Sequence, residues 1–287
     1  MRLDYILFFL SFTAAAQHSD IKPYAPELFP SHLSGAVIGF SNDGNIIYFV
    51  REDTTIQKLS IFQAERKGKK WENDQKLSFS GEYNDMGGRF PSDGNTIFFT
   101  SDRPGGSNNE NDTWNIWKSR RIGNQWSTPE PLLDINSKGN ECCPVPIDDD
   151  TFLYSGDRGK PMEWWIFQWS NEKETPIAQL TDEHAWQWPS YYDEKENVLF
   201  FNSMKRKDTR GMDDIYVSFF NNKAWSAPIN IGYPVNTAIY EDGAILSYDK
   251  KYLIFNQHTT GSTPSRVMYT PWKPLLKNLN KAGFSSK

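Results

Sequence analysis

The stretch SNDGNIIYF at residues 41–49 recurs about fifty residues later as SDGNTIFF at residues 92–99. Each copy joins an aspartate-marked turn to a run of β-branched and aromatic residues, which is typical of a tight turn followed by a strand. Degenerate copies follow at residues 148–154, 193–201 and 248–255. The spacings between the aligned aspartates are 50, 56, 44 and 56 residues, for Asp43, Asp93, Asp149, Asp193 and Asp249.

A repeat of this length that holds several short strands is typical of a β-propeller blade, because one small sheet cannot bury both of its faces alone. We therefore predict an all-β fold, a single β-propeller built from four-stranded antiparallel blades. Five repeats indicate five blades, and six remain the open alternative because degenerate strands could lie in the longer loops. No stretch shows a helical period, so no helix is predicted.

The propeller is predicted over residues 17–275, with repeats near 35–84, 85–140, 141–184, 185–240 and 241–275. The last repeat lacks an outer strand, and residues 25–29 match the outer-strand segments of the other repeats. We expect this segment to pair with the last blade and close the ring, which leaves no long sheet edge open. Residues 276–287 form a C-terminal tail in this division.

Residues 1–16 combine Arg2, a short apolar run and an Ala-x-Ala site, a pattern typical of a secretory signal peptide cleaved after Ala16. The apolar run is too short to span a bilayer, so no membrane span is expected after cleavage. The sequence therefore predicts a periplasmic or secreted protein.

The net charge of −5 and the shortness of the densest basic cluster, residues 66–70, argue against a nucleic-acid partner. No metal site or cofactor is expected, because the four histidines show no i, i+3 or i, i+4 pairing and no phosphate-binding glycine loop is present. Cys142 and Cys143 are adjacent, which leaves both a strained vicinal disulfide and two thiols open.

Several motifs together resemble the WD40-like PD40 repeats of TolB-like propellers. They are SDG at 92–94, TSDRPGG at 100–106, DIY at 214–216, WSAP at 225–228 and IGYPVNT at 231–237. The resemblance covers roughly residues 25–270 and departs from the pattern in the third repeat, where DDD replaces SDG. It implies a propeller fold and a protein of the cell envelope.

Acidic residues recur eight positions before the aligned aspartates, at Asp85, Glu141 and Glu241. If the repeats are equivalent, these carboxylates lie at one height around the channel mouth, where propellers bind ligands. We expect them to form a ligand or cation site. The alternative is that acids precede strands because loops are solvated.

The third repeat and the start of the fourth are rich in tryptophan, including Trp164, Trp186 and Trp188. Exposed tryptophans beside carboxylates can stack on the apolar faces of sugars, whereas packing between sheets is the alternative role.

The leading prediction is a non-enzymatic module that binds a protein or glycan of the cell envelope at the channel mouth. A carbohydrate-active hydrolase or lyase that uses the same carboxylates is the second hypothesis, and a scaffold without a small ligand is the third.

Overall fold

The computed structural model describes residues 20–91, 94–107, 113–148, 151–160, 163–182, 184–221, 223–258 and 264–281. The predicted signal peptide and the repeat turns at Ser92-Asp93 and Asp149-Asp150 lie outside these residues. The fold is all-β with one short helix, as the sequence predicted apart from that helix. No helix in the described part of the chain is both long and apolar enough to cross a membrane.

The strands follow one another as antiparallel four-stranded units, each of which begins near a predicted repeat boundary. After β1 (Lys22–Pro23), the first unit is β2 (Gly35–Phe40), β3 (Ile46–Asp53), β4 (Lys58–Lys67) and β5 (Lys70–Lys76). The second is β6 (Asp85–Arg89), β7 (Thr96–Ser101), β8 (Asn115–Ile122) and β10 (Glu130–Pro131), with β9 (Gln125–Trp126) also paired to β8. The third is β11 (Glu141–Pro146), β12 (Phe152–Gly156), β13 (Trp165–Ser170) and β14 (Lys173–Pro176).

The remaining strands form one longer sheet. It contains β15 (Trp186–Asp193), β16 (Val198–Met204), β17 (Asp213–Phe219) and β18 (Ile229–Asn230), followed by β19 (Tyr240–Leu246), β20 (Tyr252–His258) and β21 (Arg266–Pro271). A single parallel pair, Asp213 with Tyr240, joins these two groups, which are therefore fourth and fifth units within one sheet.

The first strand of each unit has a distinctive irregularity and a distinctive position. A β-bulge shifts the pairing register within all five of these strands, between Val37 and Gly39 in β2, for example. Each first strand also lies beside the first strand of the next unit, and β19 lies beside β2. The five strands thus bring their side chains toward a shared central space.

The apolar core lies between neighbouring units rather than at one centre. One cluster joins the first and second units through Tyr48, Ile61, Phe99 and Trp126. Comparable clusters join each later pair, and another joins the fifth unit to the first through Ile254 and Phe49. Aromatic residues therefore fill much of the space between the stacked sheets.

The N-terminal strand that pairs with the last unit differs from the predicted one. Lys22 and Pro23 pair with Tyr269 and Met268 of β21, three residues before the predicted segment 25–29. Residues 25–29 instead form a turn, because Ala25 has a positive φ of 43° and Pro26 has no N–H for a ladder. That turn inserts buried Leu28 and Phe29 between the first and last units.

The C-terminal region also differs from the prediction. Residues 272–281 form a helix, α1 (Trp272–Lys281), where the sequence analysis expected no helix. Its buried residues Trp272, Leu275 and Leu279 lie on one face by their i, i+3, i+7 spacing, and they pack on the fourth and fifth units. The predicted tail at 276–287 therefore begins within a packed helix.

Candidate functional site

The predicted acid Asp85 lies at the first residue of β6 and is fully buried. Its Oδ2 accepts a hydrogen bond from Ser80 Oγ at 2.6 Å, and its Oδ1 accepts one from Arg103 Nη2 at 2.7 Å. Burial raises the pKa of Asp85, although the nearby Arg103 guanidinium opposes that rise.

Glu141 and Glu241 repeat this arrangement in the third and fifth units, and both are fully buried. Glu141 accepts hydrogen bonds from Ser137 N at 2.9 Å and from Arg158 Nη1 at 2.5 Å. Glu241 accepts them from Thr237 N at 2.9 Å and from Thr237 Oγ1 at 2.6 Å. Each acid therefore ties the preceding loop to the start of its strand.

In the fourth unit Gln187 has the same role, although it lies six residues, rather than eight, before the aligned aspartate Asp193. Arg206 Nη2 donates to Gln187 Oε1 at 3.0 Å, and Asp182 N donates to the same oxygen at 2.8 Å. Gln187 lies 11 residues before Val198, the first residue of β16, just as Asp85 lies 11 residues before Thr96, the first residue of β7. Asp193 is therefore not equivalent to the other repeat aspartates, and aligning it with them hid this correspondence in the sequence.

These loops are held by further repeated contacts. The neighbouring acids Asp102 and Asp157 each accept hydrogen bonds from the backbone and side chain of an asparagine, Asn84 and Asn140 respectively. Asp102-Arg103 and Asp157-Arg158 therefore help to hold neighbouring loops together.

None of the three predicted acids is among the residues that line the cavity at this end of the sheets. Successive side chains of a strand point to opposite faces, so the residue after each acid faces the central space instead. Met86, Cys142 and Asp242 occupy that position and line a cavity of about 470 Å³. Trp188, which follows Gln187, does the same.

A second tier of lining residues lies within one residue of the start of each third strand. Each lies two positions before a buried Ile or Val of its strand, and together they are Leu59, Trp114, Trp164, Asp213 and Ser265. Sequence reasoning missed Trp114 and Asp213, although their constant offset from that apolar residue is a signal within the repeat.

Tryptophans form one wall of the cavity. The ring centroids of Trp164 and Trp188 are 6.1 Å apart, and both rings line the space. Trp186 contacts Trp188 edge to face at 6.2 Å but does not line the cavity, and Lys205 Nζ lies 4.9 Å from its ring centroid. Two of the three predicted stacking residues, Trp164 and Trp188, therefore line the cavity.

Carboxylates form another part of the cavity lining, which we call the acidic wall. Asp213 and Asp242 both line the cavity, and Asp242 lies 3.4 Å from His258 Nε2. Burial raises the pKa of Asp213 well above its usual value, and the charges of Asp242 and Asp214 add to that rise. Burial also raises the pKa of Tyr240, whose ring contacts that of His258 edge to face.

Arg89 occupies the floor of the cavity and lines a second cavity, of about 450 Å³, on its other side. Its guanidinium donates to the backbone carbonyls of Ser190, Gly88 and Ile38 and so connects three units. Burial lowers the pKa of Arg89 to about 10.

Cys142 and Cys143 are free, with their sulfur atoms 3.1 Å apart beside this cavity. Cys143 has a φ of 58°, close to Gly87 at 59° and Gly243 at 64°, which occupy the matching bulges. Within the described residues, no cluster of three His, Cys, Asp or Glu side chains is arranged to hold a metal ion.

Stacked four-stranded sheets around a lined central cavity define a propeller-like all-β protein, and comparison with solved structures agrees. The chain is similar to a putative TolB from Agrobacterium tumefaciens (TM-score 0.53, 15% identity, 84% of this chain and 78% of that one). It is also similar to TolB from Acinetobacter baumannii (0.51, 12%, 84% and 54%), of which it spans about half the length. The endo-arabinase from Bacteroides thetaiotaomicron is a further match (0.53, 9%, 83% and 93%).

These identities are low, so the likeness concerns the fold alone. No protein-family model matches the sequence, and no curated protein matches it.

Proposed function

We propose that the chain is an exported, non-enzymatic five-bladed β-propeller that binds a glycan or a segment of a protein in the cavity at its channel mouth. The single observation that carries this proposal is the cavity of about 470 Å³ whose lining includes both tryptophans and carboxylates. Apolar rings suit the C–H faces of a sugar, and the acids suit its hydroxyl groups. Asp85, Glu141 and Glu241 contribute by fixing the starts of the strands that line the site.

The five-bladed architecture is supported by the five bulged first strands and by the contact of β19 with β2. Closure of the ring is supported by the pairing of Lys22–Pro23 with β21. The N-terminal signal pattern supports export to the periplasm or the exterior, with cleavage after Ala16.

The binding proposal is tested with an oligosaccharide array and cell-envelope extracts, followed by calorimetry on the hits. Trp188→Ala and Trp164→Ala should each reduce affinity at least tenfold, because each removes a stacking surface. Trp186→Ala is the matched control, since that ring lies two residues away on the same strand and does not line the cavity. Binding that survives both cavity variants, or no binding to any array component or extract, would overturn the proposal.

A carbohydrate-active hydrolase is the second candidate, favoured by the presence of both Asp213 and Asp242 in one cavity. Glycosidases use a pair of carboxyl groups roughly 5 to 10 Å apart. The test is release of reducing ends from the oligosaccharides that bind, with Asp213→Asn and Asp242→Asn as the inactive variants. Bound glycans that stay intact over long incubation would exclude this candidate.

A further inference from the structure

Two buried hydrogen-bond acceptors in the acidic wall have no partner among the described residues. They are Asp213 Oδ1 and Asn256 Oδ1, and both residues line the cavity. Asp213 is only 1% exposed, and Asn256 is also buried. A buried acceptor without a donor costs roughly 1–3 kcal/mol, and more when it is charged, so the site is incomplete without a ligand or solvent that donates.

The orientation of the Asn256 amide is fixed by its neighbour. Asn256 Nδ2 donates to Asp242 Oδ1 at 2.6 Å, and a carboxylate can only accept such a bond. The amide oxygen must therefore point away from Asp242. This corner of the cavity therefore presents two carboxylates and one amide oxygen that can accept, beside the Tyr240 hydroxyl, which hydrogen-bonds to both acids, and His258 Nε2, which lies 3.4 Å from Asp242 Oδ2.

The charges around this corner are mostly negative. The charges of Asp242 and Asp214 act on Asp213, the Tyr240 hydroxyl lies close by, and His258 lies against Asp242. No salt bridge joins Asp213 to a cation within the part of the chain that the structure describes, in contrast to Asp85 and Glu141. A cation brought by the ligand would compensate this charge.

We propose that the ligand of this cavity carries a protonated primary amine, which Asp213, Asp242 and Asn256 bind while the rest of the ligand packs on the tryptophan wall. An ammonium group has three N–H donors and no acceptor, so it matches this corner in charge and in hydrogen bonding. The rings of Trp114, Trp164 and Trp188 offer apolar surface to the part of the ligand that does not carry the amine. This inference rests on the proposed binding function and narrows its ligand class to amino sugars or amine-bearing side chains.

The experiment compares matched probes by calorimetry at pH 7. One set contains β-1,4-linked tetramers of glucosamine, N-acetylglucosamine and glucose, and the other contains phenethylamine and 2-phenylethanol. Each amine should bind at least tenfold more tightly than its uncharged counterparts. Asp213→Asn should remove that preference and leave the affinity for uncharged probes within twofold, whereas Asp134→Asn on the exposed surface should change nothing.

The possible results distinguish a failure of the amine inference from a failure of the proposed binding function. Equal affinity for amine and uncharged probes, or an amine preference that survives Asp213→Asn, would overturn the inference. If an uncharged glycan binds and loses affinity in Trp188→Ala, the proposed function stands while the amine inference fails. If no probe binds, the amine inference is overturned, and the array decides the broader function. Thermal melting of Asp213→Asn establishes that the variant is folded.

Discussion

Arg103 donates from Nη2 to Asp85 Oδ1 over 2.7 Å, and both side chains are buried at the start of β6. The guanidinium also lies over the rings of Phe99 and Trp117, 5.1 and 5.3 Å from their centroids. The equivalent pair in the third unit is Arg158 with Glu141. An ion pair at this position is therefore part of how a unit is built, rather than part of an open binding surface.

The first prediction concerns this ion pair. Asp85→Ala should lower the free energy of unfolding by about 3–5 kcal/mol, because it leaves a buried guanidinium without its partner. Glu130→Gln, which breaks the exposed contact with Lys118 at 3.6 Å, should change it by less than about 1 kcal/mol. Urea denaturation of both variants measures the difference, and a similar small loss in both would contradict the structural role.

A second prediction concerns the residue that separates the two cavities. Arg89→Ala removes the donors to the carbonyls of Ser190 and Ile38, and each carbonyl left without a donor costs about 1–3 kcal/mol. The melting temperature should fall, and the two cavities should become continuous in a crystal structure of the variant. Arg120→Ala, at an exposed site, is the control and should melt as the wild type does. An unchanged melting temperature in Arg89→Ala would contradict the bridging role.

The third prediction concerns pH. Burial and the neighbouring Asp242 raise the pKa of Asp213 above its usual 3.8, so the folded state holds this proton more tightly than the unfolded state does. Stability from this group is present below pH 3.8 and is lost as the pH rises through the folded pKa. Asp213→Asn should therefore be more stable than the wild type at pH 8, and the gap should close toward pH 3.8.

Asp43→Asn is the control of opposite sign. Hydrogen bonds from Ser41 and Asn45 lower the pKa of Asp43 to about 2. Its stabilising effect is therefore present above pH 3.8 and is lost as the pH falls toward 2. Melting curves across pH 3 to 8 that show the same pH dependence in both variants would contradict these assignments.

The repeat allowed the fold to be predicted because its signal is periodic and extends over the chain. The positions of the tryptophans Trp164 and Trp188 near a ligand-sized space could be predicted too, since aromatic density survives small alignment errors. The sequence placed Asp85 and its equivalents at the end of the sheets where the cavity lies. It did not show that the next residue of each strand, rather than the acid itself, lines that cavity. A shift of one residue reverses the face of a strand, and only the observed register shows which face is central.

Other features were hidden for different physical reasons. The helix α1 is stabilised by the packing of Trp272, Leu275 and Leu279 on the rest of the fold. Because most helical stability comes from such tertiary packing, the periodicity of a short segment does not reveal the helix. Trp114 and Asp213 occupy equivalent positions but differ in chemistry, so neither looks like a copy of the other. The unpartnered state of Asp213 Oδ1 arises from contacts between strands far apart in the sequence.

The final prediction concerns the N-terminal segment. Removing residues 17–30 deletes the strand that pairs with β21 and removes buried Leu28 and Phe29 from the space between the first and last units. Loss of two buried side chains costs about 2–5 kcal/mol each. In a domain of this size each kcal/mol lowers the melting temperature by about 2–4 °C, so a fall of about 8 °C or more is expected. Lys22→Ala, which keeps the backbone pairing, is the control and should melt within about 1 °C of the wild type, since surface substitutions have small effects. A truncated chain that melts with the control would show that this segment does not hold the first and last units together.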